Sequence, residues 1–116
     1  MLRTISCAAV VLLAMTCASA NEPRFLKAWG RQGTADGEFE FPIGIAIHET
    51  SVFITDHYND RVQKINLEGK LLGGIQSGQG SEPGKFFAPH GIAINARGEL
   101  FVVDSYNQRI QKFATK

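Results

Sequence analysis

The chain spells the same stretch twice, and this duplication constrains its fold more than any single residue. The first copy runs through Gly37-Glu38-Phe39, Pro42, Gly44-Ile45-Ala46-Ile47, Asp56, Tyr58-Asn59 and Arg61-Val62-Gln63-Lys64-Ile65. The second runs through Gly84-Lys85-Phe86, Pro89, Gly91-Ile92-Ala93-Ile94, Asp104, Tyr106-Asn107 and Arg109-Ile110-Gln111-Lys112-Phe113. Pro42, Gly44 and Ala46 recur 47 positions later, whereas Asp56 and Arg61 recur after 48. The copies therefore differ by one residue between His48 and Val52, where a tight turn is expected. A fixed period of this size is the mark of a solenoid or propeller array.

Within each copy the apolar residues follow a period of two. Ile43, Ile45 and Ile47 alternate with Gly44 and Ala46, and Val52-Phe53-Ile54 and Leu100-Phe101-Val102-Val103 are short β-branched and aromatic runs. Clusters of turn formers separate them, such as Tyr58-Asn59-Asp60, Leu67-Glu68-Gly69 and Ala96-Arg97-Gly98. The fold class read from this pattern is all-β, with strands at 25–30, 43–48, 52–56, 61–66, 70–76, 91–95, 99–104 and 109–114. That is two four-stranded units, cut so that the outer strand of one comes first. Open strand edges at both ends would template association.

Residues 1–20 read as a secretory signal peptide: Arg3, an apolar run from Cys7 to Ala14, and Ala18-Ser19-Ala20 as the cleavage site. The run is too short for a spanning helix. The expected location is secreted or periplasmic, with no membrane contact after cleavage. Both cysteines, both methionines and Arg3 belong to this segment, so the rest holds eleven basic and eleven acidic residues. Zero net charge speaks against nucleic acid, whose phosphates call for a basic face. With no cysteine left, stability must come from β packing and association rather than disulfides.

Gly-x-Phe, Pro-x-Gly-Ile-Ala-Ile, an apolar strand ending in Asp, and Tyr-Asn-x-Arg-[Val/Ile]-Gln-Lys together resemble the NHL repeat. The resemblance covers 25–116 as two repeats, about 25–69 and 71–116. It implies two blades of a β-propeller, commonly six-bladed, so that three chains would be needed to close a ring as a homotrimer. The repeated residues have structural readings. Gly44 and Gly91 allow close strand approach, and Phe39 and Phe86 pack between blades. Asp56 and Asp104 accept backbone N–H groups at a turn, paired with Arg61 and Arg109. Asn59 and Asn107 suit a left-handed turn position.

Function must then reside in residues that do not repeat. A binding module for a protein or peptide would use the loops 31–37 and 77–84, with Arg31, Gln32, Asp36, Gln76, Gln79, Glu82, Trp29, Phe41 and Phe87. Asp36, Glu38 and Glu40 read as solvated surface. His90 stands where the first copy has Ile43. The NHL repeat is similar to a secreted branch, the peptidyl-α-hydroxyglycine α-amidating lyases, in which a Pro-His motif at this place ligates zinc. In that branch a tyrosine in a motif like Asp56-His57-Tyr58-Asn59 takes part in catalysis. The resemblance implies Tyr58, less readily Tyr106, as a catalytic residue and His90 as a metal ligand, in an assembly that brings several His90 rings to one axis. On spacing alone His48 and His57 do not converge on His90. No other enzyme motif is present, so binding without a cofactor is the leading expectation. A third reading takes the chain as a non-functional fragment of a longer propeller, since repeat arrays gain stability from three or more units.

Overall fold

A computed structural model describes residues 21–116; the signal-peptide expectation lies outside them. The polypeptide forms two antiparallel sheets. The first has the order β1 (Pro42–His48), β2 (Ser51–Asp56), β3 (Arg61–Asn66) and β4 (Leu71–Ile75). The second has the order β5 (Pro89–Ile94), β6 (Glu99–Asp104) and β7 (Arg109–Ala114). The all-β class and the meander order within each sheet agree with the alternating sequence pattern.

The length difference between the copies sits in the first hairpin turn. Glu49-Thr50 join β1 to β2, with Glu49 in the left-handed region at φ 56°. In the second copy Asn95–Gly98 make the turn, and the additional residue is Gly98 at φ 83°. Asn95 Oδ1 accepts from the N–H groups of Arg97 and Glu99 at 3.1 and 2.9 Å and so closes the longer turn.

Period-two alternation decides which face each side chain takes. Val52 and Ile54 of β2, with Ile65 of β3, join Phe39 in a cluster on the outer side of the first sheet. Phe53 and Val62 point the other way and meet Leu100, Val102 and Phe86 of the second unit, with Ile75, Ile92, Ile94 and Phe113 at the margins. β5 lies against β1 and β2, so the innermost strands of the two sheets are adjacent. Gly44 is where they crowd. A Cβ there would lie 2.7 Å from His90 O and 2.9 Å from Ile92 Cγ2, the close approach that the missing side chain permits.

One expected strand is absent. Phe25–Gly30 is irregular, with Phe25 and Leu26 80% exposed or more. By the 47-residue spacing, 24–28 correspond to β4, the outer strand of a sheet. Among the described residues no third strand lies beside that segment, and a strand exists only through its partner. It is held instead by Lys27 Nζ on Glu68 O (3.0 Å) and by the Trp29 ring against Gly69.

Candidate functional site

The two copies are locked by the same polar network. Asp56 is fully buried and accepts from Glu40 N–H (2.7 Å), Asn59 Nδ2 (2.9 Å) and Arg61 Nε (2.7 Å). Arg61 spends its remaining donors on the carbonyls of Thr34, Ala35 and Glu38, and Gln63 spans Glu38 O and Gly37 N–H. A single side-chain set thus fastens the connecting loop onto its sheet. Asp104, Asn107, Arg109 and Gln111 do the same for Phe87, Gly80, Ser81, Glu82, Lys85 and Gly84. Burial works to raise the Asp104 carboxyl. The Phe87 N–H and the Asn107, Arg109 and Gln111 side chains outweigh it and hold the group below its ordinary value. The left-handed residues are Asp60 (φ 52°) and Gln108 (φ 55°), one step after the expected Asn59 and Asn107. Those asparagines sit in single 3-10 turns, His57–Asn59 and Ser105–Asn107, where their amides bridge the aspartate and the loop.

Because the lock holds each turn beneath its sheet, side chains that flank it emerge together at one end of the molecule. Tyr58 and Tyr106 follow β2 and β6, and Phe41 and Phe87 precede β1 and β5. Phe41 stacks on Tyr58 (centroids 5.3 Å, 18° between planes), and Phe87 tilts against Tyr106 at 5.0 Å. Phe41 takes a left-handed backbone, φ 65°, which a bulky residue adopts at a cost.

Between the two pairs lies His57, and here the sequence reading needs correction. Its ring is buried, 4.6 Å from Tyr58, 6.3 Å from Phe41, 5.7 Å from His90 and 6.4 Å from Tyr106. Its Nδ1 lies 3.1 Å from Pro89 O; a carbonyl only accepts, so this nitrogen carries the hydrogen. His57 therefore converges on His90 and joins the two repeats. The sequence marks this position only as one that does not repeat, since the second copy has Ser105 there. His48 lies at the far end, 3.3 Å from Ala96 O.

The loop residues proposed for binding are divided. Trp29, Arg31, Gln32, Glu40, Phe41 and Tyr58 line one open groove of about 590 Å³ beside the aromatic row. Arg31 bonds Glu38 at 2.8 Å and holds that carboxyl below its usual range, while Gln32 reaches Glu40 at 3.1 Å. Glu38 and Glu40 are thus half-buried and bonded rather than freely solvated. Gln79 is engaged with Asp60, and Glu82 lies 4.0 Å from Lys85. Asp36 and Gln76 are exposed and line no part of the groove. His90 and His57 bring two imidazoles together, but among the described residues no group of three His, Cys, Asp or Glu is placed to hold a metal.

Two sheets stacked face to face, each locked by Asp, Asn, Arg and Gln, define a β protein built of blade-like repeats. Residues 88–113, the second sheet from its entry to β7, match the family model described as the NHL repeat. The chain is 29% identical over 90 residues to human NHL repeat-containing protein 3, and equally to the mouse protein of that name. Each alignment covers 72% of this chain and 26% of the relative, so the chain spans about a quarter of the length of the relatives it matches. Both likenesses are to proteins that carry the NHL repeat.

Proposed function

We propose that the chain is an exported, non-enzymatic binding module that presents two propeller blades, works in assembled form, and takes a protein or peptide ligand. The observation that carries the binding site is the row Phe41, Tyr58, Tyr106 and Phe87, exposed by 61, 56, 59 and 38% while already stacked in pairs. Pre-stacked aromatic rings with a buried hub offer large contact area at little cost in side-chain entropy, as in binding hot spots. The groove beside them adds Arg31 and Glu40, so the ligand chemistry that fits is a peptide with an aromatic or aliphatic anchor and a charged neighbour. Export rests on the pattern of residues 1–20.

The experiment is selection of displayed random peptides on the immobilised chain, followed by titration of the enriched sequences against Phe41→Ala/Tyr58→Ala. Both side chains are exposed, so the fold should survive their loss. Binding that weakens at least about tenfold, one truncated anchor's worth, supports the reading. Enriched peptides indifferent to the substitution would overturn it.

A second reading, zinc-dependent lyase-like chemistry, is favoured only by the approach of His57 to His90. A catalytic zinc takes about three protein ligands, so further imidazoles would have to come from neighbouring chains. Metal analysis of the assembled protein, with His90→Ala alongside, decides it; stoichiometric zinc lost in the variant is the result it requires.

A further inference from the structure

The chain contains a worked example of an interface whose two halves recur on its outer faces, uncovered by the described residues. At the inner junction the face of the first sheet carrying Phe53 and Val62 is covered by the face of the second sheet carrying Ile92, Ile94, Leu100 and Val102. The 48-residue spacing maps Phe53 and Val62 onto Phe101 and Ile110, which lie on the uncovered face of the second sheet. Lys64 lies over the Phe53 ring at 5.7 Å, and Lys112 lies over Phe101 at 5.6 Å, so the uncovered face keeps the arrangement of the covered one. The 47-residue spacing maps Ile92 and Ile94 onto Ile45 and Ile47, which are 63 and 57% exposed on the first sheet.

The positions that differ between the two junctions change together. Inside, Thr55 Oγ1 donates to His90 O at 2.7 Å. Outside, the corresponding residues are Val103 and Ile43, both apolar and both open, at 40 and 39%. Inside, Asp60 accepts from Gln79 Nε2 at 3.3 Å; outside, Gln108 and Gln32 are two amides that can bond each other. The edges agree with the faces. Among the described residues no strand pairs with the outer edge of β7, and 24–28, which correspond to a fourth strand, are irregular and belong to no sheet.

We propose that a second copy of this chain occupies the open end: the Phe101, Val103 and Ile110 face of one copy docks on the Ile43, Ile45 and Ile47 face of the next. Residues 24–28 of that next copy add to β7. Transposing the β3–β4 register places Ala28 opposite Ile110, Lys27 opposite Gln111 and Leu26 opposite Lys112. Among the described residues this segment is tethered by Lys27 Nζ on Glu68 O, with Trp29 beside it against Gly69, so little is lost on its release. The contact is heterologous and closes into a ring only if its rotation allows; it supplies backbone pairing to an exposed sheet edge. This deepens the assembly part of the proposed function and is independent of the aromatic row.

The test uses the full chain, as purified after expression, and two variants at exposed positions, Ile110→Asp on one face and Ile45→Asp on the other. Molar mass is read by light scattering and folding by circular dichroism. The wild type is expected at a multiple of the single-chain mass, threefold if six sheets close a ring. Each variant alone is expected at onefold, and an equimolar mixture at twofold, because each retains the half the other has lost. A onefold wild type overturns the proposal. So do folded variants that keep the wild-type mass, or a mixture that stays at onefold. Titrating a selected peptide against the monomeric Ile110→Asp chain separates failure of assembly from failure of binding.

Discussion

Val62 and Ile110 occupy the same position of two copies of one pattern, yet Val62 is completely buried and Ile110 is 67% exposed. Nothing in their own strands explains this, since both lie on a third strand, opposite Thr55 and Val103 in the same register. The difference is whether a further sheet covers the face. Repeat units of this kind complete their cores with their neighbours, so the inner junction is a covered core, and the outer faces carry the same pattern uncovered by the described residues. The polar locks, by contrast, are finished in both copies, because each is satisfied inside its own unit.

That contrast can be broken first at the locks. Removing one partner of a buried charge pair leaves the other uncompensated, at about 3–5 kcal/mol. The Arg61 side chain is 9% exposed and that of Arg109 is 29% exposed, with the aspartate fully buried in both. Arg61→Ala is therefore expected to lower stability by the full amount and Arg109→Ala by less, because water reaches the second guanidinium. Urea titration of both variants measures it. Equal losses would mean that the locks are insulated alike and that the outer face of the second sheet is already covered in solution.

The second comparison is Val62→Ala against Ile110→Ala. Truncation in the inner core costs about 2 kcal/mol, the lost transfer energy plus a cavity. Ile110→Ala, in an Ile45→Asp background that prevents association, should stay within about 0.5 kcal/mol, as an exposed substitution does. Without that background, the cost of Ile110→Ala should rise towards that of Val62→Ala. A cost that is the same in both backgrounds would show that this face meets no partner.

The repeat made part of this legible from residue order. Asp56, Arg61, Asp104 and Arg109 could be paired because short-range spacing puts them at opposite ends of one tight turn, twice. Gly44 could be read as a point of close approach for the same reason. Two features could not be read. The meeting of His57 with His90 depends on β5 lying beside β1 and β2, a tertiary fact that local pattern does not contain. The segment 25–30 has a strand's composition and no strand's partner, so its state depends on what lies outside its own sheet. The shift of the left-handed residue from Asn59 to Asp60 is subtler. The Asn amide is needed as a donor to Asp56 Oδ2 and Gly33 O, and this fixes its backbone in the turn.

The smallest expected effect is one of pH, and it sharpens the account of the second lock. The Asp104 carboxyl is held below its ordinary value because its hydrogen-bond donors outweigh burial. A depressed carboxyl contributes stability that is complete above its unfolded value, about 3.9, and that is lost as pH falls through the lower folded value. Asp104→Asn removes that ionisation. At neutral pH the variant lacks the charged bond to Arg109 and is the less stable protein. In acid the wild type loses the same contribution by protonation, so the two should converge. Urea midpoints for both proteins from pH 7 down through the acid range test this directly. The gap should narrow only below the ordinary carboxylate range, while a gap constant with pH would mean that the aspartate acts through its shape and neutral hydrogen bonds rather than through its charge.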